Sequence, residues 1–277
     1  MSFAKNRHDL LELFIKELED QSLIAEKDLG EAALNAPMHG ILHCIRSVMQ
    51  NQDPGQDITD HLFNLGLKIS KIIAPILVSD SPEGYLVESK AKISAQILLL
   101  CSWRTSKEIS LLFGLHCKFV TEDKLFSMSK FFTDQLAEIK HRGAFEQAYV
   151  GFCSLCSFMW SNAKYKNVPV KLLEDTLEGL EKSNKFCNTR RSAGVPYLIQ
   201  AVVSTEPSLS NHSSLKLTLD RLIKLCKDSR DEVRIHAYNI LRILFRDSSL
   251  GEVVSPFVSD GLKAAILGFK ASSWPVR

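Results

Sequence analysis

The residues that could support chemistry in this 277-residue chain include a cysteine pair and a histidine pair. Cys153 and Cys156 have the CxxC spacing of zinc ligands, but no second CxxC or paired histidine completes a four-ligand set. His39 and His43 are spaced to lie on one helix face, yet Gly40 stands where the HExxH motif needs its glutamate. Core packing is the interpretation that we adopt for the cysteines, which lie in an apolar helical stretch, and a metal site is the alternative for both pairs.

Motifs of catalysis are missing from the sequence. It contains no GxxxxGK[ST], no GxGxxG after a strand, no GxSxG and no HxE with a distant CxxC. Cys117 follows His116, but adjacent helical residues point about 100° apart, so the two do not form a dyad. We therefore expect that the chain is not an enzyme, has no catalytic residues and needs no cofactor.

An arginine pair is the remaining candidate site. Arg190 and Arg191 lie at a predicted helix start, where the helix dipole disfavours cations. A role other than stabilising the helix is therefore needed to explain both arginines. Arg190 could be a buried arginine that pairs with an acid of a neighbouring repeat. Arg191 would point about 100° away and is the better candidate for a phosphate or an acidic partner. Gly194 and Pro196 predict a close backbone approach and a bend.

The charge balance limits which partners are plausible. Thirty-four Lys and Arg against 32 Asp and Glu leave a net charge of +2, unlike the strongly basic balance of an autonomous nucleic-acid-binding domain. Any RNA contact must then come from a local patch, and DNA is not expected as a partner. The 45% apolar and 24% charged residues are ordinary for a soluble globular chain.

The location of the protein is predicted from its cysteines and its apolar stretches. Seven cysteines, an odd number and mostly in apolar surroundings, are typical of free thiols in a reducing compartment. The N-terminus lacks the apolar core of a signal peptide. The longest stretch without Asp, Glu, Lys or Arg, residues 147–163, is shorter than the roughly 20 apolar residues that span a bilayer. We expect a cytosolic or nuclear protein, assign it to the cytosol, and expect no membrane contact.

Apolar residues recur at three- and four-residue spacing through most of the chain, which predicts helices. Strand signals are nearly absent. The loops are too short to separate independent domains, so residues 1–277 are predicted to form one all-α domain. The predicted helices include 10–18, 58–77, 86–103, 106–117 and 124–141.

A weak internal repeat indicates how these helices are arranged. Val233-Arg234 and Val276-Arg277 are 43 residues apart, Arg190 precedes Arg234 by 44 residues, and Arg142 precedes Arg190 by 48. HEAT and armadillo repeats have periods of about 40–47 residues. We therefore predict a right-handed armadillo/HEAT-type α-solenoid of stacked helical hairpins.

The repeat register also gives an expectation for the end of the chain. Arg277 falls inside a repeat, which suggests a fragment of a longer solenoid. An apolar end-face around residues 264–267 and Phe269 should then be exposed and prone to associate.

Several segments carry a resemblance to a known family. The sequence resembles the thyroid adenoma-associated protein family most strongly over residues 86–277, although Val195 replaces the family's usual Leu or Ile. The matching segments are Thr189 to Pro196, His236 to Arg242, Leu244 to Asp247, Cys101 to Arg104 before Lys107-Glu108, His141 to Glu146, and Ser259 to Phe269.

The resemblance implies both a function and a site. Members of the family are long armadillo-type proteins, and yeast relatives are the non-catalytic partner of a ribose 2′-O-methyltransferase that modifies the tRNA anticodon loop. It implies partners here: the methyltransferase subunit, and tRNA as part of that complex. A general HEAT-type protein–protein scaffold without direct RNA contact is the alternative. The implied docking residues are Arg190, Arg191, Ser192, Gly194, Pro196, His141 and Arg142.

Overall fold

Every regular element of the computed structural model, which describes residues 2–50, 53–79, 93–182 and 194–276, is a helix. No strand occurs in those ranges, so the all-α prediction is confirmed. The α-helices are α1 (Ser2–Lys27), α2 (Leu29–Asn35), α3 (Met38–Met49), α4 (Gln56–Val78), α5 (Ala95–His116), α6 (Glu122–Glu138), α7 (Arg142–Ser161), α8 (Asn167–Lys182), α9 (Val195–Ser204), α10 (Ser213–Leu225), α11 (Asp231–Arg246), α12 (Gly251–Val254) and α13 (Val258–Gly268).

The chain divides into two compact units. The first comprises Met1–Gln135 with Ile139–Gly151, and the second comprises Leu136–Glu138 with Phe152–Arg277. Helices α6 and α7 therefore contribute residues to both units. Each unit has its own buried apolar residues. The prediction of one continuous domain over residues 1–277 stays a prediction.

The first unit is built around α5, which packs against both α3 and α4. The rings of Phe63 on α4 and Phe113 on α5 have centroids 4.9 Å apart. Gly66 allows this approach, since a Cβ there would lie 2.8 Å from the Phe113 ring. Burying a large apolar side chain of this kind contributes about 1.5–3 kcal/mol, so the α4–α5 contact is a major stabilising feature of the unit.

Helix α5 is continuous where the sequence predicted a break between residues 103 and 106. That prediction is wrong because the polar residues there bond within the fold and leave the helix intact. The hydroxyl of Ser102 donates to the carbonyl of Leu98, and that of Thr105 to the carbonyl of Cys101, each at 2.8 Å. These bonds to the preceding turn satisfy buried hydroxyls inside a helix. A single helix therefore presents residues 103–108 together.

Two glycines mark a close helix crossing within the first unit. A Cβ on Gly114 of α5 would lie 2.7 Å from the Cα of Gly151 on α7. A Cβ on Gly151 would overlap the carbonyl oxygen of Ser110 and lie 2.8 Å from the ring of Phe132. The main chains of α5 and α7 thus touch, which only residues without a side chain permit.

Helix α4 is long and apolar enough, by length and composition, to cross a membrane. The core helix of a water-soluble protein meets the same criterion, and half of the apolar stretch of α4 is buried inside the fold. Its buried face includes Ile69, Ile73 and Ile76. These residues act as core here.

The second unit repeats a similar packing with other helices. Helix α9 packs on α11, and α8 contacts both α9 and α10. The indole N–H of Trp160 on α7 donates to the carbonyl of Val202 on α9 at 3.1 Å. Between α8 and α10, the guanidinium of Arg221 pairs with the carboxylate of Glu181 at 2.7 Å. Apolar burial thus combines with a few specific polar contacts between helices.

A buried carboxylate caps α10. Glu206 is buried, and its oxygens accept the backbone N–H of Ser214 at 3.2 and 3.3 Å. They also accept the hydroxyl of Ser210 at 2.8 Å and that of Ser213 at 3.2 Å. Glu206 thereby satisfies donors at the first turn of α10, which otherwise have no intrahelical partner.

Replacing this cap should destabilise the second unit. We expect Glu206→Ala to lower the free energy of unfolding by about 2 kcal/mol, because a buried donor is left unsatisfied. Urea denaturation followed by circular dichroism measures the change. Glu174→Ala removes an exposed glutamate from α8 and should leave the unfolding midpoint nearly unchanged. Equal midpoints for both variants would show that Glu206 has no capping role.

The C-terminal helix α13 carries an exposed apolar stripe. Leu262, Ile266 and Phe269 lie at helical spacing and are 60%, 53% and 69% exposed. Of the residues expected to be exposed here, Ile266, Leu267 and Phe269 are exposed, whereas Ala264 is buried. The hydroxyl of Tyr238 on α11 donates to the carbonyl of Ala264 at 2.8 Å, which places that side of α13 against the fold.

Candidate docking surface

The predicted docking residues fall into three groups. Arg190, Arg191 and Ser192 lie outside the described residues. His141 and Arg142 belong to the first unit, where α7 begins at Arg142. The third group, Gly194 and Pro196, begins α9 in the second unit.

Gly194 and Pro196 have clear packing roles. A Cβ on Gly194 would overlap the carbonyl oxygen of Leu136, so the predicted close backbone approach is confirmed. Pro196 is buried in the first turn of α9, where its missing N–H costs no helical hydrogen bond. The bend predicted at these two residues stays a prediction. Their docking role stays a prediction.

The arginines at repeat-related positions pair within their own helices. On α7, the guanidinium of Arg142 pairs with Glu146, four residues later, at 2.7 Å. On α11, Arg234 pairs with Asp231, three residues earlier. The pairing with an acid of a neighbouring repeat was predicted for Arg190, which lies outside the described residues, so it stays a prediction.

His141 stacks on an aromatic residue of α5. Its ring and that of Trp103 are 5.3 Å apart between centroids and 18° from parallel. The His141 Nδ1 accepts the backbone N–H of Ala144 at 3.3 Å, so the side chain also caps α7. Burial lowers the pKa of His141, which favours the neutral ring that can accept this bond. Gly143 leaves room for the two rings, since a Cβ added at this position would lie 3.1 Å from the His141 ring and 3.3 Å from the Trp103 ring.

Next to this stack, α5 presents two cations. Arg104 is exposed, and its guanidinium carbon lies 6.0 Å from the centroid of the Trp103 ring. Among the described residues, no carboxylate lies within 4.0 Å of the Arg104 guanidinium. Lys107, one turn further along, is partly exposed, and its Nζ lies 3.5 Å from the carboxylate of Glu108. Arg104 is therefore a free cation beside a partly exposed aromatic pair.

A buried carboxylate joins α5 to α3. The Glu108 side chain is only 7% exposed, and its Oε2 accepts the Nε–H of Arg46 at 2.8 Å. His43 Nδ1 lies 3.5 Å from the same oxygen. Burial is the largest cause that lowers the pKa of His39, and the charge of Arg104 adds to it. The predicted helix face shared by His39 and His43 thus points toward α5.

This setting disfavours a metal ion at the histidine pair. Arg46 Nη2 lies 3.0 Å from His43 Nδ1, and the Arg104 charge acts on His39, so cations occupy the surroundings. Within the described ranges, no three His, Cys, Asp or Glu residues come together as a metal site would require. Cys156 is fully buried, which confirms the core interpretation for that thiol, and Cys153 is partly exposed.

We call Arg46, Trp103, Arg104, Lys107, His141 and Arg142 the α5 basic cluster. Its four cations are offset by two carboxylates, Glu108 and Glu146. The excess of two positive charges equals the net charge of the whole chain. Guanidinium and ammonium groups arranged in this way bind phosphates or carboxylates.

Sequence reasoning selected His141 and Arg142 but did not place Trp103, Arg104 or Lys107 in a site. The signal lay in the resemblance, which matched Cys101 to Arg104 and Lys107-Glu108 without assigning them a role. Arg46 had no local signal, because its partner lies 62 residues away in the sequence.

Comparison with known proteins identifies relatives over almost the full chain. The tRNA (32-2'-O)-methyltransferase regulator THADA of Mus musculus is 31% identical over 364 residues, covering 99% of this chain and 19% of the relative. The THADA regulator of Drosophila melanogaster is 30% identical, covering 96% and 19%. The regulator trm732 of Schizosaccharomyces pombe is 27% identical, covering 91% and 19%. The chain therefore spans about a fifth of the length of these relatives.

The alignment with the mouse relative is 364 residues long, whereas this chain has 277 residues. The mouse relative therefore contains inserted residues that this chain lacks. No solved structure shows a significant match. The family model described as THADA/TRM732, DUF2428 matches residues 57–275, which include α4 to α13 almost completely. The chain belongs to the THADA/TRM732 family.

Proposed function

We propose that this chain is part of a regulator of a tRNA (32-2'-O)-methyltransferase. In this role it is a non-catalytic scaffold that holds the enzyme on the tRNA anticodon loop in the cytosol. The observation that carries the proposal is the similarity along 99% of the chain to relatives that are named as such regulators. The α5 basic cluster supports it, since its cations suit an acidic partner and it contains no nucleophile paired with a base.

The architecture that we propose for this scaffold is a right-handed armadillo/HEAT-type solenoid. Within the first unit, α1 packs on α3 and α3 on α5, and within the second unit α9 packs on α11 and α8 on α10. Contacts between every second helix are what stacked helical hairpins produce, because equivalent helices of successive hairpins lie side by side. This packing supports the proposal.

The function is tested at the arginine that the sequence singled out. In a reaction reconstituted from the full-length regulator, its methyltransferase and substrate tRNA, we expect Arg191→Ala to lower the rate of 2′-O-methylation about tenfold. The physical reason is the loss of hydrogen bonds to a charged partner, which are worth about 1.5–3 kcal/mol. The rate is measured by incorporation of labelled methyl groups.

The thermal unfolding midpoint separates docking from structure. If Arg191 acts in docking, Arg191→Ala should leave this midpoint within a degree or two of the parent protein. The matched control, Arg242→Ala, removes an exposed arginine from α11 and should leave methylation unchanged. A full methylation rate in Arg191→Ala, or a regulator that does not bind the methyltransferase at all, contradicts the proposal.

A protein-only scaffold is the second candidate, and the exposed stripe of Leu262 and Ile266 on α13 with Phe269 at its C-terminal cap favours it. Exposed apolar stripes of this kind occur at protein–protein interfaces. The two functions differ in their response to salt. If the chain contacts phosphates, its affinity for tRNA falls steeply as the salt concentration rises. A protein-only scaffold does not bind tRNA at any salt concentration.

A further inference from the structure

Arg104 carries a positive charge that no carboxylate of the described residues pairs with. It is exposed on α5, with no carboxylate within 4.0 Å among the described residues, whereas Arg46 and Arg142 each have one. Lys107 follows one helical turn later, about 5 Å along the axis. Both side chains therefore extend from one helix surface at a spacing that lets them contact one ligand.

An aromatic stack lies beside these two cations and adds an apolar ring surface to the charged one. Trp103 and His141 are each partly exposed, and their stacked rings are only 18° from parallel. Gly143 makes this geometry possible, since any side chain there would press on both rings. A partly exposed aromatic stack next to an arginine offers a ring surface on which an unpaired base can stack.

We infer that the α5 basic cluster is an RNA-binding site, in which Arg104 and Lys107 contact phosphates and the Trp103–His141 pair contacts an unpaired base. An RNA loop supplies both groups at once. An acidic peptide supplies carboxylates for the cations but leaves the aromatic pair unused, so the observations favour RNA. The inference rests on the proposed function, which it deepens by locating the contact with tRNA on α5.

The structure also explains why the site is preformed. Glu108 is held by Arg46 from α3, and its other oxygen faces Lys107 at 3.5 Å. This contact fixes α5 against α3 and orients the lysine without neutralising Arg104. On the other side, His141 caps α7 through Ala144 while it stacks on Trp103. Three helices thus hold the cluster, so little ordering accompanies binding.

The test is binding of labelled tRNA to the purified full-length regulator, measured by fluorescence anisotropy between about 50 and 200 mM salt. A parent protein that binds no tRNA would overturn the inference. The double variant Arg104→Gln/Lys107→Gln should raise Kd about tenfold at the lower salt concentration. The slope of log affinity against log salt should fall by about 1.4, since each single-strand phosphate contact contributes about 0.7. Trp103→Leu should raise Kd without changing the slope.

A matched control removes one arginine and one lysine from the second unit. Arg242→Gln/Lys171→Gln deletes two exposed cations from α11 and α8 and should leave Kd within about twofold. Circular dichroism melting checks that all variants are folded. An unchanged Kd and slope in Arg104→Gln/Lys107→Gln, or an equal loss in the control, overturns the inference.

The methylation assay distinguishes failure of this site from failure of the proposed function. If Arg104→Gln/Lys107→Gln binds tRNA like the parent but no longer binds the methyltransferase, the cluster is a protein interface and the RNA site is wrong. In that case Arg191→Ala still lowers methylation, and the regulator function stands. Loss of tRNA affinity together with normal methyltransferase binding supports the RNA site.

Discussion

Gly151→Ala is expected to lower the free energy of unfolding by about 3 kcal/mol or more, a large part of the total stability of a typical domain. The new Cβ would overlap the main-chain carbonyl oxygen of Ser110 on α5 and press on the ring of Phe132. Because the carbonyl belongs to the helix itself, α5 and α7 must separate to make room. Urea denaturation followed by circular dichroism measures the loss.

Gly40→Ala is the matched control for this substitution. Gly40 lies inside α3, and nothing approaches within 4 Å of the position that its Cβ would take. Alanine favours the helix over glycine by up to about 1 kcal/mol, so this variant should be slightly more stable than the parent. Two glycine-to-alanine changes with opposite signs would show that packing, and not glycine content, decides the outcome. A stable Gly151→Ala protein would mean that α5 and α7 do not cross at these glycines.

The second large effect concerns pH. His116 is 4% exposed, and neither of its ring nitrogens has a hydrogen-bond partner among the residues that the structure describes. Burial is the main cause that lowers its pKa from 6.5 to about 4, with a smaller contribution from the charge of Lys118. The folded protein therefore keeps the ring neutral at a pH where the unfolded chain binds a proton. Above pH 6.5 the neutral His116 ring does not lower the free energy of unfolding. As the pH falls from 6.5 toward 4, the unfolded chain binds a proton that the folded protein does not, and the free energy of unfolding falls.

We expect the free energy of unfolding to fall by about 2 kcal/mol between pH 7.5 and pH 5 because of His116. The pKa values of His39 and His141, which burial also lowers, change stability in the same direction. Urea unfolding curves at a series of pH values measure the slope.

His116→Leu should remove most of this acid sensitivity and keep the stability at pH 7.5, since no hydrogen bond is lost with the ring. The comparison variant His43→Gln changes a mainly exposed histidine, 60% exposed, and should retain the full slope. The role of His116 is disproved if the two variants lose stability in parallel between pH 7.5 and pH 5.

The helices could be predicted from the sequence because apolar spacing is a local signal. The run from Ile58 to Leu77 has that spacing, and α4 covers Gln56–Val78. The predicted break near Thr105 failed for a physical reason. Hydroxyl residues favour turns when they are exposed, but Ser102 and Thr105 donate to carbonyls of the preceding turn and fit a buried helix. Propensity alone does not distinguish these two situations.

The candidate site could be predicted only in part. His141 was selected because the resemblance included it, but its contact with Trp103 joins residues 38 positions apart on two helices. The pair of Arg46 and Glu108 is separated by 62 positions. Such contacts depend on how helices pack, and one sequence contains no periodic signal for them. The cap on α10 by Glu206 gave no periodic signal either, since its carboxylate lies eight residues before the N–H of Ser214 that it accepts.

Gly194 has a consequence for how a mutational scan of this protein should be interpreted. Any of the other amino acids adds a Cβ at this position, and the atom that it would strike is the main-chain oxygen of Leu136. A second mutation can shorten a side chain, but none can remove a carbonyl oxygen. No single compensating substitution at Leu136 can therefore restore the fit. Loss of function at Gly194 would report on folding, even though the residue lies in the segment expected to dock a partner.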